Sequence, residues 1–307
     1  MKPLQTKFSA DVSEHNALPE YPRPCLVRTS YLNLNGYWDC AFTDSPEPPQ
    51  QFEDKILVPF SPECILSGVN KRLEPDGFLW YRRTFSITRP QPGKRILLHF
   101  GAVDQIADVY INGAHAASHT GGYLPFSLEM TGFLQSGDNE LLVRVQDLTD
   151  SSYHSRGKQA LLPGGMFYTA QSGIWQTVWA EIVPDNYIEQ LFFTPDYDNS
   201  RMNLRVVTKD SVEVDCMIAG KDVDSFCISG MSNETIAISL PGFHPWSPED
   251  PFCYQISIRT DTDRVSSYFA MRKCDIQTAP DGKQRFFLNN KPYFQAGVLD
   301  QGYWPEG

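Results

Sequence analysis

Apolar and polar residues alternate with period two through almost every patterned segment of this 307-residue chain, and no amphipathic helix longer than two turns can be drawn on it. A strand turns successive side chains to opposite faces, so such alternation buries one face and wets the other, whereas a helix needs a 3.6-residue repeat. The pattern therefore predicts an all-β protein. At residues 140–147, Leu141, Val143 and Val145 share one face and Leu142, Arg144 and Gln146 the other, behind the turn formers Ser136, Gly137, Asp138 and Asn139. Strands are predicted likewise at 95–100 and 106–111. Asn112-Gly113, in which both residues tolerate positive φ, then closes a hairpin that returns through 114–119.

Residues 175–183 (WQTVWAEIV) form a further strand that Pro184-Asp185-Asn186 breaks, and a domain boundary is expected there. Beyond it, short strands at 188–194, 202–208, 212–219, 234–240, 254–260 and 265–270 suit a seven-stranded sandwich of immunoglobulin type, without the Cys…Trp…Cys spacing of antibody domains. After Cys274 the chain reads as a linker, a hairpin turned at Asn289-Asn290, and one apolar strand. The expected organisation is 1–183, 184–276 and 277–307, which fits about 100 to 200 residues per domain.

Composition excludes several function classes. A net charge of −11 and a pI near 5.0 leave no basic surface for a phosphate backbone, so nucleic acid is not an expected partner. No apolar run approaches the roughly 18 residues of a membrane span. The N-terminal MKPLQTKFSADVSEHN has no apolar secretory core, so a soluble, cytoplasmic protein is expected. Seven scattered cysteines, odd in number and without a CxxC pair, read as reduced and mostly buried thiols. His115 and His119 would share one strand face, but there is no HExxH and no zinc spacing, so neither a metal nor a cofactor is expected. Trp38, Trp80, Trp175 and Trp179 are expected to pack in the core or at a domain interface, and Arg82 and Arg83 to face opposite sides and pair with this acidic chain.

Five motifs, in order, carry a resemblance: Leu34-Asn35-Gly36-Tyr37-Trp38, Val58-Pro59-Phe60-Ser61-Pro62-Glu63, Leu79-Trp80-Tyr81-Arg82-Arg83-Thr84-Phe85, Val109-Tyr110-Ile111-Asn112-Gly113, and Ser172-Gly173-Ile174-Trp175-Gln176-Thr177-Val178-Trp179. Together they resemble the sugar-binding jelly roll of family 2 glycoside hydrolases, the group of β-galactosidases, β-glucuronidases and β-mannosidases. Trp246-Ser247-Pro248-Glu249 resembles that family's second, immunoglobulin-like domain. Residues 297–305 (GVLDQGYWP) resemble the first strand of its catalytic barrel and the loop after it.

The resemblance implies a parent enzyme that hydrolyses β-glycosidic bonds with retention, using two carboxylates about 5 to 5.5 Å apart and no organic cofactor. In relatives both are glutamates on later barrel strands, the acid/base after an Asn. Here Asn139-Glu140 opens a jelly-roll strand and Asn233-Glu234 belongs to the second sandwich, while a full barrel needs about 250 residues. The catalytic residues are therefore expected outside this chain, which by itself should be inactive, its missing barrel and a β-linked carbohydrate being its natural partners. The loop at 156–171 (RGKQALLPGGMFYTAQ) brings Met166, Phe167 and Tyr168 beside Gly164 and Gly165, where related enzymes carry a sugar-touching carboxylate. Asp300 and Gln301 follow the expected barrel strand, with Tyr303 and Trp304 as an aromatic wall, and these seven side chains are the candidate sugar contacts. The apolar tail from Phe286 on is expected to be loose or covered by another chain, which makes a homo-oligomer a candidate assembly. Two rivals are a stand-alone carbohydrate-binding sandwich and a purely structural β protein such as an adhesin segment.

Overall fold

The computed structural model describes residues 5–221 and 223–301. They divide into two compact units, one of residues 5–22, 30–182 and Gln301, the other of Arg23–Thr29 and Val183–Asp300. No helix among them is long and apolar enough to cross a membrane.

The first unit is a jelly-roll sandwich. Its strands are β1 (Tyr31–Asn33), β2 (Gly36–Thr43), β3 (Asp54–Val58), β4 (Phe78–Ser86), β5 (Lys94–Phe100), β6 (Val103–Asp104) and β7 (Ile106–Ile111). They continue with β8 (Ala114–Thr120), β9 (Phe126–Glu129), β10 (Asp138–Gln146), β11 (Gln159–Ala160), β12 (Tyr168–Thr169), β13 (Gly173–Ile174) and β14 (Val178–Pro184). One antiparallel sheet runs β3-β2-β4-β10-β7-β8 and the other β1-β14-β5-β9. The alternation on β10 is realised as expected, with Leu141, Val143 and Val145 fully buried and their neighbours half-exposed. They meet Ile96, Leu98 and Phe100 of the opposite sheet in a single core, where each buried aliphatic side chain contributes about 1.5–3 kcal/mol. Asn112 and Gly113 have φ of 50° and 78° and close the β7–β8 hairpin between paired Ile111 and Ala114.

Trp38, Trp80 and Trp179 are buried as expected, Trp38 donating its indole N–H to the Leu34 carbonyl at 2.8 Å. Arg82 pairs with Asp39 (2.9 Å), and Arg83 donates to the Tyr37 carbonyl. All seven cysteines are free, but only Cys40, Cys64 and Cys216 are buried, whereas Cys25, Cys227 and Cys274 are exposed. The expectation of mostly buried thiols is thus corrected: Cys227 and Cys274 lie on strands and face water, where a small side chain is tolerated.

The second unit is an immunoglobulin-like sandwich of β15 (Gln190–Asp196), β16 (Arg201–Val207), β17 (Glu213–Gly220), β18 (Val223–Met231), β19 (Thr235–Ser239), β20 (Tyr254–Arg259) and β21 (Arg264–Phe269). The sheets are β15-β16-β19 and β18-β17-β20-β21. Sequence reading missed β18, because Ser225, Ser229 and Gly230 interrupt its apolar run; its register on β17, bulged between Ile218 and Gly220, supplies the constraint instead. Residues 23–29 belong to this unit: Val27 bridges Ser266, and the Arg28 guanidinium is buried against Asp263 (2.8 Å) and the Ile188 carbonyl (2.5 Å). Asp263 also accepts the Ile188 N–H at 2.8 Å, so the buried charge pair is fully engaged.

A small sheet of β22 (Cys274–Thr278), β23 (Gln284–Leu288) and β24 (Lys291–Pro292) ends the regular structure, its last turn made by Asn289 and Asn290 at positive φ. The apolar strand expected next is not formed: residues 293–301 are irregular, and Phe294, Val298 and Leu299 are 85–94% exposed. A single strand is not stable without neighbours to complete its hydrogen bonds, and none flanks this segment among the described residues.

Candidate functional site

The long loop that leaves β10 lies at one end of the six-stranded sheet. Val145 pairs with Leu79, Gln146 with Ile106 and Ile106 with Thr120, so the starts of β4 and β7 and the ends of β8 and β10 come to that end together. Asp147 begins the loop by accepting the Thr149 N–H at 2.7 Å, a local turn that short acidic side chains favour. Farther on, β11 and β12 pair in parallel, Gln159 with Tyr168 and Ala160 with Thr169. Between them Gly164 and Phe167 exchange backbone hydrogen bonds of 3.3 and 3.1 Å around a tight turn. Gly165 sits there at φ +60°, where a side chain would be strained.

This turn presents Leu162, Met166 and Phe167 to solvent, and Tyr153 stands out from the same loop. The β8–β9 connection adds exposed Tyr123 and Leu124. Tyr123 meets Trp175 edge-on at 6.0 Å and accepts a hydrogen bond from the Gln159 amide at 3.3 Å, which joins this connection to the loop. Of the loop candidates, Met166 and Phe167 are therefore surface groups, while Tyr168 is half-buried in the short strand pair.

Beneath the loop is a polar layer that sequence reading did not find. Glu63, partly buried, accepts the N–H groups of Leu73 (3.2 Å) and Ser172 (3.0 Å). Buried Asp147 accepts the Ser172 hydroxyl at 2.8 Å, so two acids from distant segments hold the loop's exit. Gln159 accepts the Gln171 N–H at 2.6 Å, and the Ser61 hydroxyl donates to the Gln171 side chain at 2.8 Å. Asp104 is buried beside them and bonded by Gln159. Its carboxyl packs directly on Gly122, where a β-carbon would stand 2.1 Å from Oδ1. The Gly122 carbonyl takes the Trp175 indole N–H at 2.7 Å.

Burial pushes the Glu63 carboxyl up to about 7 against the hydrogen bonds that favour its charge. Asp104 is pushed up to about 8, by burial first and then by the charges of Asp147 and Glu63. Asp147 is raised by burial too. A sequence signal existed for part of this layer, since Glu63 and Ser172 both stand in the motifs quoted above. Asp104 and Asp147 lie outside those motifs, and only the fold brings the four together.

Residues 62–184 match the family described as "Glycosyl hydrolases family 2, sugar binding domain". Those residues are similar to the sugar-binding domain of family 2 glycosyl hydrolases. Glu63, Asp104, Asp147, Ser172 and the whole apolar loop fall inside the matched sugar-binding domain. Among curated relatives, "Beta-galactosidase" of Thermoanaerobacter pseudethanolicus is 26% identical over 244 residues, 71% of this chain and 31% of its own length. "Beta-glucuronidase" of Canis lupus familiaris is 24% identical over 253 residues, 72% of this chain and 39% of its own length. The chain thus spans about a third of the curated relatives it matches. Among solved structures, Ruminococcus gnavus β-glucuronidase superposes with a TM-score of 0.71 at 18% identity, over 89% of this chain and 49% of that one. Faecalibacterium prausnitzii β-glucuronidase gives 0.68 at 23%, over 89% and 50%. At such identities the superpositions show the fold.

The remaining sequence candidates fall in the C-terminal segment. Asp300 and Gln301 are exposed in the irregular segment, Asp300 within the second unit, and Tyr303 and Trp304 lie outside the described residues. Asn139 is buried and bonded to Asn112 and Gln135, and Asn233 makes a turn at positive φ, so neither Asn-Glu pair is presented for chemistry. No group of three or more His, Cys, Asp or Glu among the described residues is arranged to hold a metal. Cavities of about 510, 450 and 390 Å³ lie in the second unit, the middle one apolar and lined by Trp246, Ile276, Phe286 and Tyr293 among others. The loop itself presents exposed apolar side chains.

Proposed function

We propose that this chain is the ancillary, sugar-facing part of a retaining β-glycosidase, acting on a β-linked glycoside with Met166, Phe167 and Tyr168 at its edge. The observation that carries the reading is the match of residues 62–184 to the family's sugar-binding domain, with the exposed apolar loop inside it. Flat apolar groups stack on the C–H faces of sugars, and loops on a rigid sheet scaffold are where such contacts are built. Asp300, Gln301, Tyr303 and Trp304 complete the sugar contacts in this reading. The acid/base and the nucleophile come from a barrel outside these 307 residues. Two carboxylates about 5 to 5.5 Å apart must be open to the glycosidic bond; Glu63 and Asp147 are instead tied to backbone and hydroxyl groups, and Asp104 is buried under the loop. A cytoplasmic setting accords with seven unpaired thiols, and self-association accords with exposed Phe286, Phe294 and Val298.

The test is to incubate aryl β-galactoside, β-glucuronide and β-mannoside with the 307-residue chain and with the same chain joined to its barrel. Turnover is expected only from the second. Turnover by the 307-residue chain, abolished by changing one of its own carboxylates, would overturn the division of labour.

A further inference from the structure

Asp104 is 3% exposed and Gln105 is fully buried, yet Asp104 Oδ1 and both ends of the Gln105 side-chain amide have no hydrogen-bond partner in the structure. Buried polar groups are almost always paired, and a buried carboxylate without a cation is the most costly exception. The charges bearing on Asp104 are negative on both sides, Asp147 from the end of β10 and Glu63 from the segment after β3. The β11 side offers the neutral Gln159, the β8–β9 connection offers Gly122 and the Tyr123 phenol, and the Tyr81 phenol and Cys64 thiol beside Glu63 are kept neutral by burial. Gly122 is packed so closely on the carboxyl that no water fits between them.

We infer that Asp104 is a positioning residue for the sugar-facing loop: as the neutral acid it closes the polar layer under residues 148–171, and losing its proton loosens that loop and weakens glycoside binding. The effect on binding rests on the sugar-facing reading of the loop given above; the effect on loop order does not. Asp104 touches no sugar and acts through Gln159, which holds both Gln171 and Tyr123. Ionisation would place a third negative charge beside Asp147 and Glu63, and the least costly relief is to let water in by opening the loop. The device restricts tight binding to the acid side of about pH 8.

The experiment is hydrogen exchange of residues 148–171 at pH 6 to 9, corrected for intrinsic rates, on the full chain and its Asp104→Asn and Asp147→Asn variants. One linked proton changes an opening equilibrium at most about tenfold per pH unit, so wild-type protection is expected to fall on the order of tenfold between pH 7 and 9. Asp104→Asn, an uncharged isostere, is expected to lose the fall between pH 7 and 9, keeping only the decline that Glu63 causes below about pH 7. Asp147→Asn is expected to shift the fall to lower pH, because one of the charges that keeps Asp104 protonated is gone. Flat protection in the wild type, an unchanged fall in Asp104→Asn, or recovery of wild-type protection at pH 9 on adding calcium chloride would each overturn the assignment, the last because a cation and not a proton would then neutralise the site. Calorimetric titration with 4-nitrophenyl β-galactoside and β-glucuronide at both pH extremes separates the two readings. Binding that weakens with pH in step with the loop supports both, whereas a pH-responsive loop that binds neither glycoside sinks the sugar-facing reading and leaves the control of loop order by Asp104 standing.

Discussion

Gly173 sits at φ +74°, and a methyl group built on it would lie 2.0 Å from the Tyr81 hydroxyl, which accepts the Ile174 N–H at 3.2 Å. Left-handed backbone costs a non-glycine residue about 1–2 kcal/mol and overpacking a further 1–3. Gly173→Ala should therefore destabilise the first sandwich by about 2–5 kcal/mol, as measured by urea unfolding. Adding Tyr81→Phe should cost less than the sum of the two single changes, because it removes the atom that the new methyl meets. The acids beneath the loop give a pH dependence whose sign follows from proton uptake. In the unfolded chain these carboxyls lose their protons near pH 4; in the folded protein Glu63 and Asp104 hold them to about 7 and about 8. Between those limits the folded state binds more protons, so this contribution is fully present below about pH 4 and is lost as pH rises to about 8. Urea midpoints should accordingly fall from pH 5 to pH 9, and Asp104→Asn should flatten the decline.

At the scale of elements, the loop between β10 and β13 separates what binds from what supports. Met166 and Phe167 are exposed and make no core contact, so Met166→Ser with Phe167→Ser should lower glycoside affinity in a calorimetric titration while each change alters stability by no more than about 0.5 kcal/mol. Asp147→Ala should act the opposite way, lowering stability by about 1–3 kcal/mol, since it strips the Ser172 hydroxyl and the Thr149 N–H of their acceptor. How far the sequence reveals each element follows the same division. Strand β10 and the β7–β8 hairpin were legible because alternation and Asn112-Gly113 are local signals. Glu63, Asp104, Asp147 and Ser172 were not, because a layer assembled from four segments leaves no period in any one of them. The segment 293–299 misled for the converse reason: Phe294, Val298 and Leu299 look like a strand, but apolar pattern alone supplies no neighbour to pair with.

Across the whole chain, the two sandwiches were legible as two stretches of alternation on either side of Pro184, but the crossing of residues 23–29 from one unit to the other was not. Nothing in Leu26-Val27-Arg28 announces a partner 235 residues away, yet Arg28 is buried on Asp263. Arg28→Ala should cost about 3–5 kcal/mol, because it leaves a buried carboxylate without its cation, and the loss should appear in the unfolding of the second sandwich. That crossing also sets an order of events during synthesis. At about 5–20 residues per second, Arg28 is added to the chain roughly 12 to 47 s before Asp263 is. The first sandwich has all its strands long before then, so it must close around a heptapeptide that is still waiting, hydrated and accessible. A ribosome stalled between residues 190 and 260 should therefore hold a nascent chain that a protease cuts at residues 23–29, and the same site should become resistant once Asp263 and Ser266 have emerged from the ribosome.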